Sequence, residues 1–175
     1  MNDIIQQIDS LSDKIDKLTE MVLHFRQPNI KILYLDNYNF EWPEISKTIN
    51  GDIGFDLRAA IPEAIRINRY ETVLIPNGFS IELPEYVGME IIPRSGLANK
   101  EDLIIPNSPG LIDTNYRGEI KTGLRYIGYE AFKIILPGER ISQAKFFFAP
   151  NAVLKKVQSL SDTERGNGGF GHTGV

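Results

Sequence analysis

The sequence predicts an all-β sandwich or barrel with one helix in front of it. Three observations carry that expectation. From Ile30 onward the apolar residues fall in short runs broken by Pro, Gly and Asn, often in strict alternation. After Phe25 almost no helical period remains. Before it, one uninterrupted helical period fills residues 2–26. The 175 residues suffice for one domain with its own core and are too few for two ordinary ones.

The helix comes first. Ile4, Ile8, Leu11, Ile15, Leu18, Val22 and Phe25 recur at alternating spacings of four and three. That is a heptad seam with Ile8, Ile15 and Val22 at a, and Ile4, Leu11, Leu18 and Phe25 at d. Asn2 or Asp3 can cap its start, and Pro28 opposes continuation beyond Gln27. A lone helix of this length is marginal in water, so the seam must be buried. Three fates fit: packing on its own domain, a short coiled coil between subunits, or docking on another protein. β-Branched residues at a with leucine at d favour two strands in isolation, while Ile5 and Met21 widen the apolar face.

Residues 28–159 form the expected β domain. Ile30–Leu35 is its first apolar run. Thr72–Ile75, then Pro76-Asn77-Gly78, then alternating Phe79, Ile81 and Leu83 read as a hairpin-like reversal. Tyr86–Ile92 is a further strand. Ile120, Thr122, Leu124 and Tyr126 alternate, as do Phe132 and Ile134. After the Pro137-Gly138 turn, Ile141–Phe148 and Val153–Val157 complete the set. Residues 160–175 lose apolar content and gain glycine, which suits either a frayed tail or a lid ordered by outside contacts.

Composition excludes several classes. Net charge is −4 and no long basic tract occurs, so no dedicated nucleic-acid surface is expected. The chain has no cysteine, which removes disulfides, thiolate metal sites and cysteine nucleophiles. No apolar run approaches a membrane span, and the N-terminus does not read as a secretory signal. A soluble, intracellular (cytoplasmic) protein is expected.

Chemistry-bearing residues crowd between Ile91 and Lys121. The loops Pro93–Gly96 and Pro106–Gly110 bring polar groups out of the scaffold. Arg94 and Ser95 can hold an anion, with Gly96 letting backbone N–H groups approach it. Asp113 follows Leu111 and Ile112 at the end of an apolar run, a place for a general base. Tyr116 offers an aromatic face to a flat ligand or a sugar. In isolation each has a plain reading too: Asp113 as a turn residue, Asn107 as a turn former after Pro106, Tyr116 as ordinary packing.

In context these residues resemble a known family. PRSGLA at 93–98, followed by N-x-x-G-L-I-D-x-x-Y-R-G from Asn107 to Gly118, is similar to the second and third signatures of the trimeric dUTP pyrophosphatases (dUTPases). DIGFDLRA at Asp52–Ala59, GERISQ at Gly138–Gln143 and RGNGGFGHTG at Arg165–Gly174 match the other three, in order.

The resemblance implies a jelly-roll fold and a homotrimer with shared active sites. It implies Mg²⁺-assisted hydrolysis of dUTP to dUMP and pyrophosphate, which limits uracil in DNA and supplies dUMP for thymidylate synthesis. Asp113 is then the base that activates water. Asp56 holds Mg²⁺ through its water shell. Arg94, Ser95, Gly96, Gln143, Arg165 and Thr173 meet phosphates, although Arg94 can instead brace Asp113 or a neighbouring loop. Asn107 and the backbone from Gly110, Leu111 and Ile112 to Lys121 select uracil, and Tyr116 packs beneath deoxyribose. Phe170 stacks on the base as the tail closes, with Gly171 beside it. His172 replaces the usual serine, which implies closure sensitive to pH near neutrality. An unchanged pH profile of kcat/KM in a His172→Ser variant would contradict that. The rival enzymatic reading is the dCTP deaminase branch of the same fold. A rival of another class is a nucleotide-gated regulatory binding protein that uses the N-terminal helix.

Overall fold

A computed structural model describes residues 2–39, 41–45, 51–150 and 152–169. Helix α1 spans Asn2–Arg26, as the heptad period predicts. Leu11, Ile15, Leu18 and Val22 on its seam are 57–61% exposed, so the chain's own β domain does not bury them.

Strands β1 (Lys31–Tyr34) and β5 (Phe79–Glu82) pair, as do β3 (Ile65–Asn68) and β10 (Phe132–Ile135). A four-stranded sheet has the order β2 (Phe55–Arg58), β11 (Arg140–Phe148), β6 (Val87–Ile92), β8 (Gly110–Ile112). A three-stranded sheet has the order β4 (Thr72–Pro76), β9 (Lys121–Tyr126), β7 (Leu103–Ile104). Every ladder is antiparallel, giving a jelly roll whose core lies between the sheets. Alternation positions that core: Phe79 and Ile81 of β5, Val87, Met89 and Ile91 of β6, and Leu124 and Tyr126 of β9 all point inward. Thr122 is buried among them, hydrogen-bonded to Asn77 Oδ1 at 3.0 Å and to Ser142 Oγ at 2.7 Å. The trio ties β9 and β11 to the β4–β5 corner without orphaning a buried polar group.

Four expectations are corrected. Pro76-Asn77-Gly78 does not join a hairpin: β4 pairs β9 while β5 pairs β1, so the reversal is a corner where the chain changes sheets. Gly78 sits there at φ +77°, and an added Cβ would lie 2.8 Å from Ala60 Cβ and 3.1 Å from Tyr38 Cα. In β10 the alternation has the opposite phase. Phe132 and Ile134 face outward, about 40% exposed, and Ile135 is the buried residue. Arg66 covers Phe132 instead, its guanidinium carbon 3.9 Å from the ring centroid. Residues 152–157 form no strand; Val153 and Leu154 are more than 90% exposed, because no strand among the described residues receives them. Ser95 and Gly96, expected in the Pro93–Gly96 loop, instead open a short helix, α2 (Ser95–Lys100), anchored by buried Leu97.

Candidate functional site

Two clusters form, at opposite ends of one strand. The first gathers the DIGFDLRA, PRSGLA and GERISQ segments. β11 lies between β2 and β6 with Gln143 opposite both Asp56 and Ile92. That register brings Asp56 beside the Pro93–Ser95 loop. Arg94 Nε donates to Asp56 Oδ1 at 2.9 Å, and an Nη donates to the Arg140 carbonyl at 3.2 Å. Arg140 donates to Asp56 Oδ2 at 3.0 Å. The register of β11 shifts between Arg140 and Ser142, a local irregularity of the kind that re-aims a side chain at a strand end. Arg94 therefore braces Asp56, not Asp113. Sequence reasoning missed Arg140, although GERISQ contained it three residues before Gln143.

Gln143 donates to the Pro93 carbonyl at 3.1 Å, and its amide lies against Gly54. Ser95 and Gly96 open α2 and are exposed; no atom lies within 4 Å of where a Cβ on Gly96 would stand. Two guanidiniums and one carboxylate leave this end with net positive charge and free N–H donors, which suits a phosphate chain.

The second cluster is the segment between β8 and β9. These strands belong to different sheets and diverge. β8 is the last strand of its sheet, and β7 covers only Arg125 and Tyr126 of β9. The edges at Gly110–Ile112 and at 121–124 thus face each other unpaired among the described strands. Between them opens a recess of about 250 Å³ lined by Leu74, Leu111, Ile112, Asp113, Tyr116, Glu119 and Lys121. Asn107 reaches both strands, with Nδ2 3.5 Å from the Cβ position of Gly110 and Oδ1 3.9 Å from that of Gly123.

The Asp113 carboxylate is exposed and makes no hydrogen bond or ion pair among the described residues. Its carbonyl accepts from Tyr116 N at 3.1 Å, and Arg117 closes the same turn through the Thr114 and Tyr116 carbonyls at 2.7 and 2.9 Å. The Tyr116 ring folds back over Gly118, where a Cβ would come within 2.7 Å of ring and hydroxyl atoms. Its hydroxyl donates to the Glu119 carbonyl at 3.0 Å.

Within one protomer the clusters do not meet. Ile112 pairs with Met89, so Asp113 falls level with Gly88, while Gln143 pairs with Ile92. Four residues of extended strand separate those levels by about 13 Å. Arg165 stays in its own turn, donating to Gly168 O at 2.8 Å. Phe170, Gly171, His172 and Thr173 lie outside the described residues.

The chain matches the dUTPase family model over residues 41–174. A deoxyuridine 5'-triphosphate nucleotidohydrolase of Rickettsia bellii is 42% identical over 146 residues, covering 83% of this chain and 95% of the relative. One of Treponema denticola is 44% identical over 126 residues, covering 72% and 87%. Among solved structures, a Staphylococcus bacteriophage 80alpha dUTPase variant superposes with TM-score 0.73 at 22% identity, over 83% of this chain and 99% of that one. A dUTPase of S. aureus phage phi11 that coordinates a structural Mg(II) ion superposes with TM-score 0.66 at 19% identity, over 77% and 99%. The solved structures share the fold; the family model spans all five motif segments and the curated relatives are more than 40% identical, and on that footing this chain belongs to the dUTPase family.

Proposed function

We propose that the chain hydrolyses dUTP to dUMP and pyrophosphate in a homotrimer whose active sites are shared between subunits. The observation that carries this reading is the recess between β8 and β9, with an unpartnered carboxylate at its rim and a tyrosine in its wall. Facing edges with free backbone groups can pair with a pyrimidine edge. Asn107 adds a side-chain amide. A cytosine would leave those groups mismatched, a larger penalty than a missing methyl.

Asp113 orients a water molecule and takes its proton as the oxygen attacks the α-phosphorus and pyrophosphate leaves. Such general-base catalysis is worth about 10²–10⁴-fold. Arg94, Arg140, Ser95 and Gln143 hold the phosphates and meet the developing charge. They must come from a neighbouring subunit, because the protomer separates them from Asp113. The 160–175 arm, with Arg165, Phe170, His172 and Thr173, closes over the bound nucleotide.

Mg²⁺ is the implied cofactor, and the donor set fits an outer-sphere role. No cluster of three or more acidic or histidine side chains able to hold a metal occurs among the described residues. Each Asp56 oxygen accepts one guanidinium donor and keeps a lone pair for a metal-bound water. When bound, the ion would neutralise phosphate charge. Helix α1, its central seam uncovered, joins its counterparts in the trimer.

Pyrophosphate release measured on dUTP, dTTP, dCTP and UTP tests the assignment. Only dUTP should react well, and Asp113→Ala should lose at least about 10²-fold. Ammonia release from dCTP, or full activity in Asp113→Ala, would overturn it.

A further inference from the structure

Glu119 joins the dUTP pocket to a part of the chain outside the family match. Its Oε1 accepts from Asn37 Nδ2 at 2.7 Å and from the Gly78 N–H at 3.3 Å. Asn37 also donates to the Ala60 carbonyl at 3.3 Å, so it is fixed from two sides. Asn37 lies before residue 41, where the family match begins. Lys121 Nζ stands 4.0 Å from Oε2 and adds little at that distance and exposure. The Glu119 carboxylate is therefore pinned between the turn after β1 and the β4–β5 corner. Its own carbonyl receives the Tyr116 hydroxyl.

We propose that the Asn37–Glu119 pair is a strut that sets sugar selectivity by stiffening Tyr116. This inference rests on the dUTPase reading, in which the tyrosine packs beneath deoxyribose. A ring excludes a 2′-hydroxyl only if it cannot yield. One side of the Tyr116 ring is backed by Gly118, and its hydroxyl end is held by Glu119 O. The backbone of Ile120 is already tied to Asn77 and Phe79, at 2.9 and 2.8 Å. The Ile120 N–H lies in the same peptide plane as the Glu119 carbonyl, so its bond to Phe79 holds one side of that plane and leaves the Glu119 Cα side to be held by the side chain. The carboxylate bonds of Glu119 hold that side. Asn37 does not line the recess and Glu119 acts on the ring through its carbonyl, so both are positioning residues. Their loss should change which sugar is accepted more than how fast phosphorus reacts.

The test compares Asn37→Ala, Glu119→Ala, the double variant and Glu119→Gln. Two readouts are taken: kcat and KM on dUTP and UTP, and calorimetric affinities for dUMP and UMP. A hydrogen-bonded strut of this kind should cost about three- to tenfold in discrimination when cut. The expected result is a fall of that size in the preference for the deoxy nucleotide, in kcat/KM and in affinity, with the change carried by better acceptance of the ribose form. The double variant should match either single one, because each cuts the same strut. Glu119→Gln keeps an oxygen acceptor and should retain the preference. An unchanged preference in Asn37→Ala, or an equal loss of kcat on both nucleotides, overturns the strut. A wild-type chain inert towards dUTP would instead defeat the hydrolase assignment, and the dUMP and UMP affinities would still judge the strut.

Discussion

An Asp113→Ala chain and a Gln143→Ala chain, each nearly inactive alone, are expected to regain turnover when mixed. The reason is the register of β6. It places Asp113 level with Gly88 and Gln143 level with Ile92, so no protomer supplies both groups to one phosphate chain. Losing the base costs about 10²–10⁴-fold. Losing one donor to the developing charge costs about 10²–10³-fold. Either variant alone should thus keep about 1% of activity or less. In a cyclic trimer mixed at random from equal parts, a site draws Asp113 from one subunit and Gln143 from its neighbour. The chance that both are intact is one half for each, so about a quarter of the sites should be whole. Subunits exchanged by joint unfolding and refolding, then assayed for pyrophosphate release, should approach a quarter of wild-type specific activity. Activity no greater than the mean of the two parents would show that each site is built within one chain and refute the shared-site reasoning.

Deleting residues 1–27 should leave dUTP turnover in place while removing the proposed interface at Leu11, Ile15, Leu18 and Val22; a side chain buried in such an interface is worth about 1.5–3 kcal/mol. Light scattering on dilution should show the shortened trimer dissociating at higher concentration than the full chain, and identical dilution behaviour would contradict the helix's role in assembly. Gly78→Ala forces a Cβ to within 2.8 Å of Ala60 Cβ at φ +77°, so it should destabilise by more than about 1 kcal/mol, read from the urea midpoint. Tyr38 has its pKa raised from 10.0 by burial first and by neighbouring Tyr34 next. The folded state therefore keeps a proton that the unfolded chain gives up. The associated stability is complete below about pH 10 and is lost as pH rises through the folded value. Tyr38→Phe also loses the hydroxyl bond to the Pro43 carbonyl at 2.8 Å, and its Tm should fall less steeply than wild type between pH 9 and about 11.

Helix α1 and most strands were legible in the chain because their signals are local. A period of 3.5 or 2 reports which side of an element is apolar, and the inward residues of β5, β6 and β9 followed it. Where two sides compete, the period misleads: Phe132 and Ile134 are apolar, yet Ile135 is the residue that goes in. Val153–Val157 reads as a strand by composition, but a strand also needs a neighbour, which the described residues do not provide.

By itself the sequence determined the family, the residue types of the proposed site and the inward face of strands such as β5, β6 and β9, since motif order and periodicity are written along the chain. The tertiary structure alone decided that Arg94 and Arg140 clasp Asp56, that the Pro76-Asn77-Gly78 turn changes sheets, and that Asp113 lies four strand residues along from the level of Gln143. Those facts concern which distant segments lie side by side. Pairing of that kind comes from packing whole faces together, and no local pattern of residues encodes it.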